Sequence, residues 1–415
     1  MKRTLVFALL AAGTLAAPAG DFIRVKGRDL VDAGGGKFVI RGVNLGHWLN
    51  PEGYMFGFGS CSSPHFIDRA FRELVGDEAT DEFWRRFKDN YVTEADIEWI
   101  AATGANTVRV PFHYKLFTDE DYLGLTKDQD GFRRLDDVVR WCAAHGLRAI
   151  LDMHDCPGGQ TGDNIDDSHG YPWLFESARC QKLYCDIWRK IAQRYANEPA
   201  VLGYDLMNEP VSSRLKDLAE INTHLKDVQV MAAKAIREAD RNHVVIFGGA
   251  QWNTNFEPFG ADFRFDDNSM FTCHHYDFGN PKLEDWKIKR YADIRDRAGM
   301  PMYMGETGHN DATWYRAMVE TMAKYDIGWT FWPYKMPGGG WNNFKCPEGW
   351  DAVKAFAAAD RQSYEKIQAA RPDRKAAVKA LMDYAENCRF ANCAPDRAYL
   401  EALGLKVPAG AAPAK

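Results

Sequence analysis

The first information in this sequence comes from features that it lacks. Its nine cysteines include no Cys-x-x-Cys pair, which argues against a structural zinc site. No Gly-rich turn of the dinucleotide-binding type is present, and no apolar segment beyond the N-terminus is long enough for a transmembrane helix. No internal repeat and no linker to a second domain is visible in the 415 residues. These absences predict one large domain that needs no metal or cofactor and does not span a membrane.

An excess of positive charge is also missing. The chain has 52 Lys and Arg against 58 Asp and Glu, so its formal net charge is −6. This balance argues against nucleic acid or an anionic membrane surface as a partner. A neutral oligo- or polysaccharide needs no electrostatic steering. Aromatic residues make up 13% of the chain, with 13 Trp, and such residues either fill a core or stack on sugar rings.

The N-terminus has the pattern of a secretory signal. Lys2 and Arg3 form a basic start, residues 4–15 are apolar, and an A-x-A cleavage site stands at 17–19. The apolar run is short for a membrane anchor, which is the alternative interpretation. We therefore predict a signal peptide at 1–19 and a secreted or periplasmic protein. Disulfides are possible after export, although an odd number of cysteines leaves at least one thiol unpaired.

Eight short β-rich segments alternate with helical patterns along the chain. Most are nearly continuous apolar runs, as expected for parallel strands that are buried on both faces. The predicted strands are 38–44, 106–111, 148–154, 201–208, 243–247, 270–276, 301–306 and 327–332. The helical patterns include 94–103, 134–145, 178–195, 227–240, 283–297 and 313–325. Eight strand–helix units predict an α/β fold of the (β/α)8 TIM-barrel type, and a doubly wound open sheet is the alternative.

Additional segments extend this barrel. Residues 22–38 have the turn composition of a hairpin ahead of the first strand, and long loops are predicted at 51–90 and 155–173. The barrel domain is expected to cover 20–390. The C-terminal tail, 391–415, ends in an Ala-, Pro- and Gly-rich stretch that is typical of disorder.

Polar side chains stand where the predicted strands end, on the face that carries the active sites of TIM barrels. In strand order they are Arg109, His154, Asn208 and Glu209, His274 and Tyr276, Glu306, and finally the aromatic Trp332. Buried polar groups need partners, so a set of this size indicates one shared site. Glycoside hydrolysis needs two carboxylates that flank one bond. Glu209 and Glu306, at the ends of strands four and seven, can point into one space across the barrel mouth. A structural salt bridge is the alternative for either residue.

Several motifs resemble those of glycoside hydrolase family 5, a clan-A family of retaining (β/α)8 enzymes that includes cellulases and exo-β-1,3-glucanases. The motifs are RGVNLGHW at 41–48, TVRVP at 107–111, LDMH at 151–154, LMNEP at 206–210, HHY at 274–276, MGETG at 304–308 and GWTFW at 328–332. The resemblance implies an acid/base role for Glu209 and a nucleophilic role for Glu306. It further implies that Asn208 binds the 2-hydroxyl, Arg109 and Tyr276 hold Glu306, His154 and His274 line the −1 subsite, and Trp332 forms its floor.

The branch of the family is predicted from two loop carboxylates. The stretch that ends at Glu52 resembles the start of fungal exo-β-1,3-glucanases, and Asp166 follows a loop that also resembles theirs. Both residues are expected to contact the terminal glucose, with a solvated loop charge as the alternative. Departures from that group are His47, in place of a common Gly, and extra residues after His154. Trp252 and Trp341 are predicted sugar platforms, and Lys335 is expected to face the same cleft.

The predicted function is a secreted retaining β-glycosidase that acts on a β-glucan, in the manner of a β-glucosidase or exo-β-1,3-glucanase. An endo-β-1,4-glucanase, mannanase or xylanase remains an alternative within the family. A more distant alternative is a metal-dependent barrel hydrolase that gathers Asp152, His154, His274 and His275 around zinc. A non-catalytic carbohydrate-binding barrel is the last alternative, but such a module would be expected to lose one of the two carboxylates.

Overall fold

The computed structural model describes residues 22–125, 128–163, 165–168 and 170–408. Eight parallel strands close into a barrel, in which each strand pairs with the next and the eighth pairs with the first. In chain order the barrel strands are Arg41–Asn44, Thr107–His113, Arg148–Asp155, Val201–Asp205, Val244–Gly248, Ser269–His274, Met302–Glu306 and Gly328–Phe331. The predicted (β/α)8 barrel is confirmed, and the open-sheet alternative is wrong because Phe331 pairs with Val43. The predicted signal peptide and residues 409–415 of the tail lie outside the described residues.

Burial on both faces explains the apolar character of these strands. Every residue of Thr107–His113 and of Val201–Asp205 is buried. Glycines mark positions where neighbouring strands approach most closely. A Cβ atom on Gly42 would lie 1.9 Å from the Thr107 carbonyl oxygen, and one on Gly203 would lie 2.4 Å from that of Val244. Side chains at these two positions would therefore push adjacent strands apart.

Helices surround the barrel. They are Pro64–Val75, Asp77–Tyr91, Glu94–Ala102, Asp128–His145, Ala178–Tyr195, Leu218–Arg237, Asp285–Ala298, Ala312–Lys324, Trp350–Ala358, Tyr364–Ala370, Arg374–Asn387 and Arg397–Ala402. Short 3-10 turns lie at Gly53–Phe56, Tyr114–Phe117, Trp173–Phe175, Glu257–Phe259 and Phe390–Asn392. The helix predicted at 227–240 begins earlier, at Leu218, because Ile221 and Leu225 extend its buried face by two turns.

An antiparallel sheet of Arg24–Lys26, Asp29–Val31 and Lys37–Phe38 lies ahead of the first barrel strand, where a hairpin is predicted. Ile23, Leu30 and Ile40 from this region pack with Ile150 and Leu202 of the barrel in one apolar cluster. The N-terminal segment therefore covers apolar barrel residues that would otherwise meet water.

The loop predicted at 51–90 contains two helices, Pro64–Val75 and Asp77–Tyr91, and both pack against Arg374–Asn387. A small sheet of Lys335–Met336, Asn342–Asn343 and Ala394–Pro395 ties the segment after the eighth strand to the C-terminal region. All nine cysteines are described, and each is a free thiol. In the part of the chain described here, no helix combines the length and the hydropathy that crossing a membrane requires.

Lys335 does not face the cleft, which corrects the prediction from sequence. Its side chain is fully buried, and Nζ donates to Asp96 Oδ1 at 2.5 Å, to the Tyr91 carbonyl at 2.8 Å and to the Cys388 carbonyl at 2.9 Å. The ammonium group thus joins the segment after the eighth strand to the Glu94–Ala102 helix and to the C-terminal region.

Replacing Lys335 by Met tests this structural role. The substitution leaves the Asp96 carboxylate buried without its cation, so we expect a loss of about 3–5 kcal/mol in the free energy of unfolding. Denaturant or thermal unfolding measures the loss. Lys354→Met is the matched control, because Lys354 pairs with Asp351, whose side chain is 94% exposed, and we expect a change below about 0.5 kcal/mol there. Equal losses in the two variants would contradict the structural role.

Candidate active site

A cavity of about 660 Å³ opens at the carboxyl ends of the barrel strands. Its walls come from the loops that follow strands one and three to eight. The lining residues are Glu52, Tyr54, His154, Asp163, Ile165, Asn208, Glu209, Arg214, Trp252, Thr254, His274, His275, Tyr276, Phe278, Glu306, His309 and Trp332. The volume is in the range of small-molecule sites, and polar and aromatic side chains share its walls.

Arg109, on the second strand, organises the polar groups below this cavity. Its Nε donates to Asp205 Oδ2 at 2.9 Å, Nη1 donates to Asn44 Oδ1 at 3.0 Å and Glu306 Oε1 at 2.6 Å, and Nη2 donates to Asn208 Oδ1 at 2.9 Å and lies 3.0 Å from Asp152 Oδ1. Burial opposes the charge of the guanidinium, but the surrounding carboxylates hold the pKa of Arg109 well above its usual range. Burial raises the pKa of Asp152 and of Asp205 to about 7, against the opposing effect of Arg109.

Glu306 ends the seventh strand and is held at both carboxylate oxygens. Arg109 Nη1 donates to Oε1, and the Tyr276 hydroxyl donates to Oε2 at 3.0 Å. Burial raises the pKa of Glu306, while the adjacent Arg109 lowers it. Its charged form therefore has two donors that offset much of the cost of burial.

Glu209 follows the fourth strand and faces Glu306. Its Oε1 lies 2.8 Å from Nδ1 of His274, and the same nitrogen lies 3.7 Å from Glu306 Oε2. Oxygens of the two glutamates come within 4.8 Å of each other. Burial raises the pKa of Glu209 well above its usual range, and the negative charges of Glu306 and Glu52 raise it further. Glu209 and Glu306 therefore lie in one site, but their carboxylates have different hydrogen-bond partners.

The loop after strand three fixes the backbone around Glu209. Glu209 has a left-handed backbone, with φ 43°, and its carbonyl accepts a hydrogen bond from the Thr161 hydroxyl at 2.7 Å. The side-chain amide of Gln160 donates to the Asn208 carbonyl at 2.8 Å and to that of His154 at 2.7 Å. These bonds hold a conformation that non-glycine residues rarely adopt.

Trp332 and His154 form one wall of the cavity as parallel rings, 5.5 Å apart and inclined by 12°. His154 Nδ1 lies 2.7 Å from Asp152 Oδ2. A Cβ atom on Gly46 would lie 2.3 Å from the Trp332 ring, so glycine is required there for the ring to take this position.

The sequence of the cavity-bearing region matches a known family. The Cellulase family model, described as glycosyl hydrolase family 5, matches residues 73–337. The chain belongs to glycoside hydrolase family 5. The predicted resemblance is therefore confirmed, and the protein is a glycosidase whose family implies a glycan substrate.

Three curated relatives illustrate the range of the family 5 proteins that this chain resembles. A β-xylosidase from Phanerodontia chrysosporium is 28% identical over 346 residues, which cover 76% of this chain and 71% of that protein. Endoglucanase C from Acetivibrio thermocellus is 27% identical, with 71% and 90% covered. Glucan 1,3-beta-glucosidase 1 from Schizosaccharomyces pombe is 28% identical, with 66% and 68% covered.

The predicted site residues are gathered here with one exception. Arg109 lies below the cavity, and Glu52, His154, Asn208, Glu209, His274, Tyr276, Glu306 and Trp332 line it. Asp166 does not line it, which corrects the prediction of a sugar contact. Its buried carboxylate accepts hydrogen bonds from the backbone amides of Thr161, Gly162 and Ser168 at 2.6, 3.0 and 3.1 Å. Asp166 therefore holds a loop whose residues Asp163 and Ile165 line the cavity.

The two predicted sugar platforms have different surroundings. Trp252 lines the cavity, and the guanidinium of Arg214 lies 5.9 Å from the centre of its ring. Trp341 is fully buried in the core and does not line the cavity, so that prediction is wrong. Arg214 also pairs with Asp163 at 2.9 Å.

Several functional residues were missed by the sequence reasoning. Asn44 and Asp205 complete the Arg109 network, and His309 and Phe278 add rings to the cavity. The sequence motifs place Asp152 only in the alternative zinc group. The two-residue period of a strand could have identified Asp152, because Asp152 and the site residue His154 lie on the same face of the third strand.

The zinc group of the rival hypothesis does not form. His154 bonds to Asp152, His274 lies beside the two glutamates, and His275 pairs with Asp277 at 3.3 Å. Within the described ranges, the one group of three or more potential metal ligands is Glu209, His274 and Glu306. Their hydrogen bonds to one another, to Arg109 and to Tyr276 account for that cluster.

The role of Asp166 is tested by Asp166→Asn. The amide cannot accept at both ends from three backbone donors, so we expect the loop around residues 157–172 to be cut faster by a protease, with glycosidase activity reduced. Asp267→Asn, at a fully exposed side chain, is the control and should change neither property. A rise in KM with unchanged protease resistance would instead favour a sugar contact.

Proposed function

We propose that this protein is a retaining β-glycosidase that hydrolyses a β-glucan by double displacement, with Glu306 as nucleophile and Glu209 as acid/base. The observation that carries the proposal is the close approach of one oxygen of each carboxylate. Retaining enzymes place them roughly 5–5.5 Å apart, whereas inverting enzymes need roughly 6.5–9.5 Å to admit a water molecule. Approach of the oxygens to within 4.8 Å supports retention.

The two roles follow from unequal hydrogen bonding. A nucleophile must be ionised, and Glu306 has the Arg109 guanidinium and the Tyr276 hydroxyl as donors to its charged form. An acid must begin protonated, and burial and the Glu306 charge raise the pKa of Glu209 more than the Arg109 charge, which forms no hydrogen bond with it, lowers that pKa. After the glycosyl-enzyme forms, the charge on Glu306 is neutralised, so Glu209 can ionise and act as the base toward water.

The glycone is expected to lie between these carboxylates and the Trp332 ring. Asn208 is oriented by Arg109 and borders the cavity, which suits a contact with the 2-hydroxyl. The apolar face of a sugar can stack on Trp332 while its hydroxyls meet His154 and Glu52. Glucan is the preferred polymer because two of the three relatives above are named for it.

We propose that the enzyme cleaves from a chain end, which is the exo mode of action. The Tyr54 hydroxyl accepts a hydrogen bond from Trp332 Nε1 at 2.5 Å and lies 3.1 Å from His309 Nε2. These three side chains, the Tyr54 row, connect the loops after strands one, seven and eight. The Tyr54 row borders the site beside Glu52. A glycone side bounded in this way favours one terminal sugar, whereas an endo-acting cleft must let the chain continue.

The catalytic assignment is tested with Glu306→Ala and Glu209→Ala. Each should lower kcat/KM for phenyl β-glucoside by about 10²-fold or more, because Glu306 attacks the sugar and Glu209 protonates this leaving group. With 2,4-dinitrophenyl β-glucoside, whose leaving group needs no acid, azide should rescue Glu306→Ala with an α-glucosyl azide and Glu209→Ala with a β-glucosyl azide, as product NMR distinguishes. Glu257→Ala, at an exposed side chain that does not line the cavity, is the control. The reverse pattern of anomers would exchange the two roles, and loss without rescue in both variants would contradict them.

The mode of action is tested by the early products from laminarin, lichenan, cellulose and xylan. We expect glucose as the first product from laminarin, since the row around Tyr54 borders the glycone. Tyr54→Ala opens that row, so longer products should appear in this variant. Mixed oligosaccharides from the unaltered enzyme would indicate endo action, and release of xylose alone would assign the protein to xylosides.

A further inference from the structure

The turn after the fifth strand has an unusual backbone. Gln251, Trp252 and Asn253 are successive non-glycine residues with φ values of 48°, 57° and 59°. Left-handed residues of this kind are uncommon even singly, and such strain collects at functional sites. The turn is held by Gln251, whose side-chain amide exchanges hydrogen bonds with that of Asn222 at 3.0 and 3.3 Å. The strained backbone, anchored by Gln251, therefore fixes the positions of the Trp252 and Asn253 side chains.

Asn253 is carried by this turn to the buried side of His274. The Asn253 side chain is fully buried, and its Nδ2 lies 3.1 Å from Nε2 of His274. The amide fits because residue 248 is glycine, since a Cβ atom there would lie 2.5 Å from Asn253 Oδ1. The opposite ring nitrogen of His274 contacts Glu209. A buried chain of three side chains thus leads from the strained turn to the acid/base.

The position of the ring proton follows from these contacts. Burial lowers the pKa of His274 well below its usual range, so the ring is neutral. A neutral imidazole donates from one nitrogen and accepts at the other. With the Asn253 amide donating to Nε2, the proton lies on Nδ1, which donates to Glu209 Oε1. An acidic proton on Glu209 then belongs on Oε2, because Oε1 already accepts.

We propose that Asn253 is a positioning residue that fixes the tautomer of His274 and thereby places the proton of Glu209 on Oε2, ready for the leaving group. The proposal rests on the acid/base role proposed above for Glu209. Asn253 itself is buried and does not line the cavity. Its effect passes entirely through the His274 ring.

Asn253→Asp reverses this arrangement with almost no change in size. A carboxylate only accepts, so it moves the ring proton to Nε2 and leaves Nδ1 as an acceptor toward Glu209. The Glu209 proton is then drawn to Oε1, away from the leaving group. The other charged groups near Glu209, namely Glu306, Glu52, Arg109 and Asp152, are unchanged. Asp also tolerates a left-handed backbone, so the turn should be retained.

The test compares kcat/KM for two aryl β-glucosides across pH. Phenyl β-glucoside needs acid assistance to its leaving group, whereas 2,4-dinitrophenyl β-glucoside does not. For Asn253→Asp we expect about a tenfold or larger loss with the phenyl substrate and less than about a twofold change with the dinitrophenyl substrate. The basic limb of the phenyl profile should move to higher pH, because Glu209 loses a donor to its charged form and gains a nearby negative charge.

Two further variants separate tautomer control from packing. Asn253→Gly keeps the left-handed backbone without the amide and should show the same selectivity, to a smaller extent. Asn197→Asp makes the same chemical change at an exposed side chain that does not line the cavity, and it should leave both substrates unaffected.

The outcome also distinguishes this proposal from the assignment of Glu209. Glu209→Ala, assayed in parallel, should lose activity on phenyl β-glucoside but not on 2,4-dinitrophenyl β-glucoside. The pH profile of its kcat/KM should lack the basic limb. Given that result, equal losses on both substrates in the Asn253 variants, or no loss in either, would overturn tautomer control while the acid/base role stands. Absence of selectivity in Glu209→Ala would overturn the role of Glu209 and this proposal with it.

Discussion

A single buried guanidinium sets the conditions for the rest of the site. Arg109 is surrounded by three carboxylates and two amides that come from strands one, three, four and seven. A charge in this position is costly unless every donor is matched, so the partners have little freedom to move. The same bonds hold the barrel mouth together and fix Glu306 and Asn208, which means that stability and site geometry depend on one interaction.

The barrel was predictable because each of its strands has a recognisable pattern in a short stretch of sequence. Parallel strands buried on both faces read as apolar runs, and the strand ends carry the polar residues of the site, so Glu209 and Glu306 could be found without a structure. Errors arose where function depends on side-chain direction within loops. Asp166 and Asp163 are both loop acids, yet one binds loop amides and the other lines the cavity. Sequence carries no signal for that difference.

Aromatic residues show the same limit. Trp252 and Trp341 both stand in loops of polar or Gly-rich composition, but only Trp252 lines the cavity. Trp252 reaches it through a left-handed backbone that no propensity predicts for tryptophan. Glu209 has the same kind of backbone, held by Thr161. Strained residues thus occur where the site needs a side chain that ordinary loop geometry would direct elsewhere.

The remaining question is how two buried glutamates, close enough to repel each other, can differ in protonation. Burial raises the pKa of both, so burial alone cannot separate their roles. The separation must come from donors, and these are distributed unequally. Glu306 receives a cation and a phenol, whereas Glu209 receives one bond from a neutral imidazole. Since a guanidinium favours a carboxylate far more than an imidazole N–H does, the shared proton belongs on Glu209. In the proposed mechanism the acid is therefore the glutamate that forms no hydrogen bond with Arg109.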